Sequence, residues 1–273
     1  MSTAHPAPLF SAHVEHWLAD GTPGRGEQPA GLVLICEHGS NTLALEHPDL
    51  GGDLGIDEVT RRSHAAWDIG ALGLARGLAE RLAPATGGAI LVHAPLSRLV
   101  YDLNRAPDHP GAMPPRSEVH DIPGNSALTP AARLARVQAV CVPFHASLHA
   151  EIARLVALGR RPVLIAVHSF TPVYMGTRRA VEFGVIHDDD TRLSLAVIAA
   201  ATGCGLDTRL NEPYSAQGDV THTIRLHAVP MRLSNTMLEV RNDLIATPAQ
   251  QADMADMADR LAPVLAEALA RTR

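Results

Sequence analysis

The sequence predicts one α/β domain built on a mixed, mostly parallel β-sheet flanked by helices. Three observations carry that reading. Two continuous apolar runs, Leu32 to Cys36 and residues 163–167, have the unbroken hydrophobic character of strands buried on both faces, as in parallel sheets. Strand-like and helix-like segments alternate along the chain, and no internal repeat or shift in composition divides its 273 residues. With 46% hydrophobic residues and only 3% aromatic ones, the core must be packed from Ala, Leu, Val and Ile.

Residues 1–30, rich in Pro, Gly and His, are expected to form a loosely attached N-terminal arm, leaving residues 31–273 as the domain. The first strand runs into Glu37 and His38. Within residues 64–83, Ala71, Leu72, Leu74, Ala75, Leu78 and Leu82 form the apolar stripe of a helix, which Pro84 and Gly87-Gly88 are expected to break. A strand follows over residues 89–92. Residues 105–128 hold many Pro, Gly and Asp residues and read as a long loop, of the kind that serves as a lid or binding loop. Thr129-Pro130 supplies an N-cap and a favourable first-turn proline for a helix. Pro143 is expected to interrupt it before a second helical segment ends near Gly159.

The next strand ends at His168. Residues 181–186 read as a strand, 191–201 as a helix and 235–241 as a further buried strand. Thr247-Pro248 with Gln250 resembles a capping box. Met254, Met257, Leu261, Leu265 and Leu269 then form the stripe of a terminal helix in which Pro263 predicts a kink.

A formal charge of −6, without basic stripes or polybasic clusters, argues against nucleic-acid and anionic-membrane partners. No apolar run reaches the ~18 residues needed to span a bilayer, and the N-terminus lacks the pattern of a secretory signal. Cys36, Cys141 and Cys204 are odd in number and widely spaced, which suits a reducing compartment and excludes a cysteine-built zinc knuckle. The expected location is the cytoplasm. No G-x-S-x-G, G-x-G-x-x-G or Walker A sequence is present.

The candidate chemistry begins with His38 and His168, each directly following a buried run. In open α/β sheets, ligands bind just beyond the carboxyl ends of the strands, so the two histidines can meet at one site. A hydrolytic zinc site needs about three protein ligands from His and carboxylate, with one position left for water. Glu37, Asn41 and Asp68 are the candidates for the third. In Met237-Leu238-Glu239-Val240-Arg241, the period of two puts Glu239 and Arg241 on one face. Such charges inside an apolar strand are costly unless paired or functional. They form either a structural ion pair, or a general base, Glu239, with a carboxylate clamp, Arg241.

The segment from Ser97 to Arg105 adds Arg98, Asp102, Asn104 and Arg105 as donors and charges for a substrate carboxylate or a developing oxyanion. His145 and His149, like His64 and Asp68, lie four apart on helical spacing, where packing is the plainer reading. His187 and His222 stand in polar loop contexts.

At these residues the chain resembles the N-formylglutamate amidohydrolase family. The matching segments are Cys36-Glu37-His38-Gly39-Ser40-Asn41, Trp67-Asp68-Ile69-Gly70-Ala71, Ser97-Arg98-Leu99, Asp102-Leu103-Asn104-Arg105, His168-Ser169-Phe170-Thr171-Pro172, Asn211-Glu212-Pro213-Tyr214 and Glu239-Val240-Arg241-Asn242-Asp243-Leu244. The resemblance implies a fold similar to that of zinc carboxypeptidases and aspartoacylases, and a place in histidine degradation. The implied activity is hydrolysis of a linear amide C–N bond in a small carboxylate-bearing N-acyl amino acid, such as N-formylglutamate.

It further implies zinc, or another divalent metal, held by His38 and His168 with Glu37 or Asp68. Glu239 would be the general base, Arg98 would stand near the oxyanion, and Asn104 and Arg105 would bind the substrate carboxylate, with Arg241 the further clamp that the strand pattern offers. The carboxypeptidase-like H-x-x-E motif is replaced here by His38-Gly39-Ser40-Asn41, which leaves the third ligand open. The alternatives are a related carboxypeptidase or cell-wall peptide amidase, and a noncatalytic binding protein of the same fold.

Overall fold

The two apolar runs that end near His38 and His168 lie side by side as parallel strands at the centre of one sheet. The computed structural model describes residues 10–26, 28–245 and 251–272. The strands are β1 (His13–Trp17), β2 (Pro23–Gly24), β3 (Leu32–Cys36), β4 (Ala89–His93), β5 (Arg116–Ser117), β6 (His120–Asp121), β7 (Val163–Phe170), β8 (Val173–Tyr174), β9 (Thr177–Arg178), β10 (Phe183–Ile186), β11 (Thr208–Leu210) and β12 (Asn235–Arg241). The helices are α1 (Glu58–Arg62), α2 (Ala71–Thr86), α3 (Pro130–Arg136), α4 (Val142–Ala157), α5 (Arg192–Ala200), α6 (His222–His227) and α7 (Gln251–Thr272).

Eight strands form the main sheet in the order β11-β10-β12-β7-β3-β4-β1-β2. The four central strands β12, β7, β3 and β4 are mutually parallel, whereas β1 is antiparallel to β4 and β10 to β12. The predicted mixed, mostly parallel sheet is therefore present.

The pleat sends alternate side chains to opposite faces. Val33, Ile35, Leu164, Ala166 and Met237 pack with Phe144, Leu148 and Ile152 of α4. Leu32, Leu34, Ile165, Val167 and Leu238 pack with Leu74 and Leu78 of α2, Leu193 of α5 and Leu261 and Leu265 of α7. The result is a three-layer α/β/α arrangement. Each such aliphatic side chain contributes on the order of 1.5–3 kcal/mol by leaving water.

Several expectations are corrected in detail. The segment expected to be a loose arm contains β1, which pairs along its whole length with β4. Its Glu15 also bonds Arg76 and His93, fastening the edge. The helix expected over residues 64–83 begins only at Ala71. Pro84 does not break it, because the proline falls in the last turn and the buried stripe holds the helix to its cap at Gly87, whose N–H reaches Ala83 O.

Pro143 likewise interrupts nothing. A π-helical turn, Val137–Cys141, joins α3 to α4 and absorbs the misfit. The N-cap at Thr129 is as expected, its side chain accepting from Ala132 N. Helix α7 continues through Pro263. The capping box at Thr247, Pro248 and Gln250 lies outside the described residues.

No helix among the described residues is long and apolar enough to cross a membrane.

Candidate active site and metal centre

The carboxyl ends of β3, β7 and β12 bring Glu37 and His38, His168, and Glu239 to one edge of the sheet. Parallel pairing sets Glu239 directly beside His168. His168 lies inside β7, which continues to Phe170. Asp68 arrives from the turn leading into α2, where its N–H donates to His38 O and its carbonyl accepts from Ala71 N. That turn closes against the segment that follows β12: a Cβ on Gly70 would stand 2.4 Å from Ile245 O, and Gly70 has φ +83°. Only glycine suits both conditions.

His38 Nδ1 and His168 Nδ1 lie 3.3 and 2.8 Å from the same oxygen, Asp68 Oδ2. The ligating atoms of His38, Asp68 and His168 all fall within 4.8 Å of one another, and all three residues are buried. Two imidazoles and a carboxylate aimed at one point form a nitrogen and oxygen donor set that suits zinc. Each far nitrogen faces a carboxylate. Asp102 Oδ1 stands 2.7 Å from His38 Nε2, and Glu37 Oε2 stands 3.2 Å from His168 Nε2. A carboxylate at the outer nitrogen fixes ring orientation and leaves the inner nitrogen for a metal. The residues therefore fit a divalent cation.

This arrangement corrects the placement of Glu37. Its carboxylate backs His168 from the far side instead of joining the converging atoms, as the alternation along an extended strand requires. Asn41 also lies apart, with its amide donating to Arg61 O. Asp68 occupies the third position.

Electrostatics reflect the crowding. Burial alone would raise Asp68, but His38, His168 and Arg98 together hold it well below the usual carboxylate range. Burial is likewise the largest influence on Glu37, and His168 and His38 override it to leave Glu37 at about 2. Glu239 behaves differently. Burial pushes it up to about 7, Asp68 adds to the rise, and His168 and His38 oppose it. Its Oε2 is buried and has no hydrogen-bond partner in the fold.

Arg98 donates from one terminal nitrogen to Asp68 Oδ1 at 3.0 Å and from the other to Asp102 Oδ2 at 3.3 Å. It is thus a holder of two carboxylates instead of a free oxyanion donor. Asn104 also departs from expectation. Its amide is bonded to Val220 O and Thr223 N, so it ties two loops together. Arg105 donates only to the carbonyls of Asn104 and Asp219 and lines the cavity, in keeping with a carboxylate contact. Arg241 does not reach the site. It bonds Glu182, Asp243 and Ala180 O beyond the strand end, which is the structural ion-pair reading.

A cavity of about 400 Å³ opens over this cluster. The long loop at residues 105–128 forms part of its wall through His109, Pro114 and Arg116, as a binding loop should. His64 and Tyr214 also line it. Neither His64 nor Tyr214 carries a role in the sequence reading, although Tyr214 closes one matching segment and His64 stands three residues before another. His145 pairs with His227 instead of sharing a ligand with His149. His187 bonds Asn211 and Asp188 O, and His222 lines a neighbouring cavity with Arg105.

Comparison with known proteins gives the family and the fold. A search of curated proteins found no match. The crystal structure of a gene product from Agrobacterium tumefaciens is 44% identical, with a TM-score of 0.85 and 96% of each chain covered. An N-formylglutamate amidohydrolase from Ralstonia eutropha shares the fold at 17% identity, with a TM-score of 0.58, covering 95% of this chain and 99% of that one. Residues 30–246 match the family model described as N-formylglutamate amidohydrolase, a span that includes every candidate ligand, and the chain belongs to that family.

Proposed function

We propose that this amidohydrolase is metal-dependent and cleaves the formyl amide of a small N-formyl amino acid such as N-formylglutamate. The observation that carries the reading is the convergence of His38 Nδ1, His168 Nδ1 and Asp68 Oδ2 beside an unpartnered Glu239. A divalent metal held by His38, His168 and Asp68 supplies Lewis-acid polarisation and acidifies water. The protein's own groups do the rest.

Glu239, with a carboxyl near neutrality and a free oxygen, takes the proton from the attacking water and returns it to the departing amine nitrogen. Asp102 holds the His38 imidazole in one tautomer, the Glu37 carboxylate faces Nε2 of His168, and Arg98 compensates the negative charge of Asp68 and Asp102. Arg105, free of any carboxylate partner among the described residues, binds a substrate carboxylate. Location in the cytoplasm and a role in histidine degradation follow the same proposal.

The test is metal content together with formate release from N-formyl-L-glutamate, before and after chelation, alongside short peptides as competing substrates. Chelator-sensitive formate release supports the proposal. Peptide cleavage with indifference to the formyl group would move the assignment to a peptidase, and stoichiometric metal without turnover of any amide to a binding protein.

A further inference from the structure

One side of the cavity carries an arrangement that the proposed reaction has not yet used. Arg179 follows the β8–β9 hairpin, and its guanidinium carbon lies 4.6 Å from the ring centre of Tyr174, 4.9 Å from Tyr214 and 5.6 Å from Phe170. No carboxylate pairs with it among the described residues. Its Nη1 donates instead to Tyr214 Oη at 3.1 Å and weakly to Thr171 O at 3.4 Å. The rings hold the guanidinium by cation–π attraction and leave its Nη1 to Tyr214.

The target is the phenol. Because Arg179 donates to the oxygen of Tyr214, the tyrosine's own proton is uncommitted, and no acceptor for it exists among the described residues. Tyr214 lines the same cavity as Glu239, Arg98 and His168. Its placement is built into the sheet: a Cβ on Gly184, the residue paired with Glu239, would stand 2.0 Å from Glu212 O. The missing side chain lets the segment carrying Tyr214 pass close over Glu239. A cationic donor at the phenol oxygen polarises the O–H bond and strengthens the hydrogen bond it gives. Arg98, the donor expected there, is occupied by Asp68 and Asp102.

We infer that Tyr214 donates its hydroxyl proton, as a hydrogen bond, to the carbonyl oxygen of the scissile amide as that oxygen gains charge, and that Arg179 is a positioning residue acting through it. The inference rests on the amidohydrolase reading. Tyr214 keeps its proton throughout, so it is distinct from Glu239, which moves one. Burial raises the phenol to about 12 and Glu239 adds to the rise, so it remains a donor across the working range.

The experiment is a kinetic double-mutant cycle on the metal-loaded enzyme with Tyr214→Phe, Arg179→Gln and both. Removing one such donor is expected to lower kcat about 10²-fold with little change in KM. Arg179→Gln is expected to cost about tenfold alone, nothing further in the Tyr214→Phe background, and to be partly rescued by Arg179→Lys. Unchanged kcat in Tyr214→Phe, or equal costs of Arg179→Gln in both backgrounds, would overturn the inference. Absence of wild-type formate release would instead overturn the hydrolase reading. Calorimetric binding of a phosphonate analogue of the tetrahedral intermediate then decides the donor: at least tenfold weaker binding by Tyr214→Phe supports it, and equal affinity refutes it.

Discussion

Asp102 places a carboxylate oxygen 2.7 Å from Nε2 of His38 and so determines which nitrogen of that ring faces Asp68. With Nε2–H donating outward, Nδ1 presents its lone pair to the metal position. The outward bond is itself secured, because Asp102 Oδ1 also accepts from Asn104 N and Asp102 Oδ2 from Arg98. Asp102→Asn is expected to weaken zinc binding by about 10- to 100-fold without loss of fold. Competition against a chromogenic chelator measures this directly; unchanged affinity would show that the ring needs no such support.

Glu239 combines a buried, unpartnered oxygen with a carboxyl pushed up to about 7, and it sits level with His168 in the paired strands. Glu239→Gln preserves size and removes the ability to take a proton. Turnover is expected to fall about 10²- to 10⁴-fold while metal content and melting temperature stay close to wild type. A variant that keeps wild-type turnover would remove Glu239 from the proton path.

The two arginines once grouped as substrate clamps should separate in experiment. Arg105 lines the cavity and meets only carbonyls, so Arg105→Ala is expected to raise KM for a carboxylate-bearing substrate while leaving stability near wild type. Arg241 holds Glu182, Asp243 and Ala180 O at the end of β12. Arg241→Ala removes these bonds from a buried strand end and should destabilise the fold by about 1–3 kcal/mol, with KM preserved. Urea denaturation and steady-state kinetics on both variants distinguish the roles; a KM effect confined to Arg241→Ala would reverse them.

The sequence made the central fold legible because hydrophobic periodicity reports burial, and the central strands are buried on both faces. The strand expected over residues 235–241 is the observed β12 for that reason. Strand β1 escaped notice because its five residues include two histidines and a glutamate, and its partner β4 lies more than seventy positions away. At the site, strand ends pointed to His38 and His168. The choice among Glu37, Asn41 and Asp68 depended on which ring nitrogen each carboxylate meets, and no spacing rule encodes that. Arg241 shared the period of Glu239, but the strand ends there and its long side chain finds partners beyond the edge. Tyr214 and Arg179 meet across a loop crossing permitted by Gly184, a contact with no local sequence signature.

A last prediction concerns acid stability. His145 Nε2 faces Leu103 O at 3.2 Å, and its Nδ1 lies 2.9 Å from His227 Nε2. The carbonyl requires a proton on His145 Nε2, so His145 Nδ1 accepts from His227, and both rings are neutral. Burial, reinforced by neighbouring histidines, lowers His145 to about 4 and His227 to about 3. Between those values and the ordinary histidine pKa of about 6.5, the unfolded chain binds more protons than the folded one. Stability conferred by the pair is therefore complete above pH ~6.5 and lost as pH falls toward ~4, at up to about 1.4 kcal/mol per pH unit for each proton. His227→Gln retains a donor for His145 and removes one titrating group. Urea midpoints of the metal-free protein and this variant, taken between pH ~7.5 and ~4.5, should show a shallower decline in the variant. Parallel declines would place the acid sensitivity elsewhere in the fold.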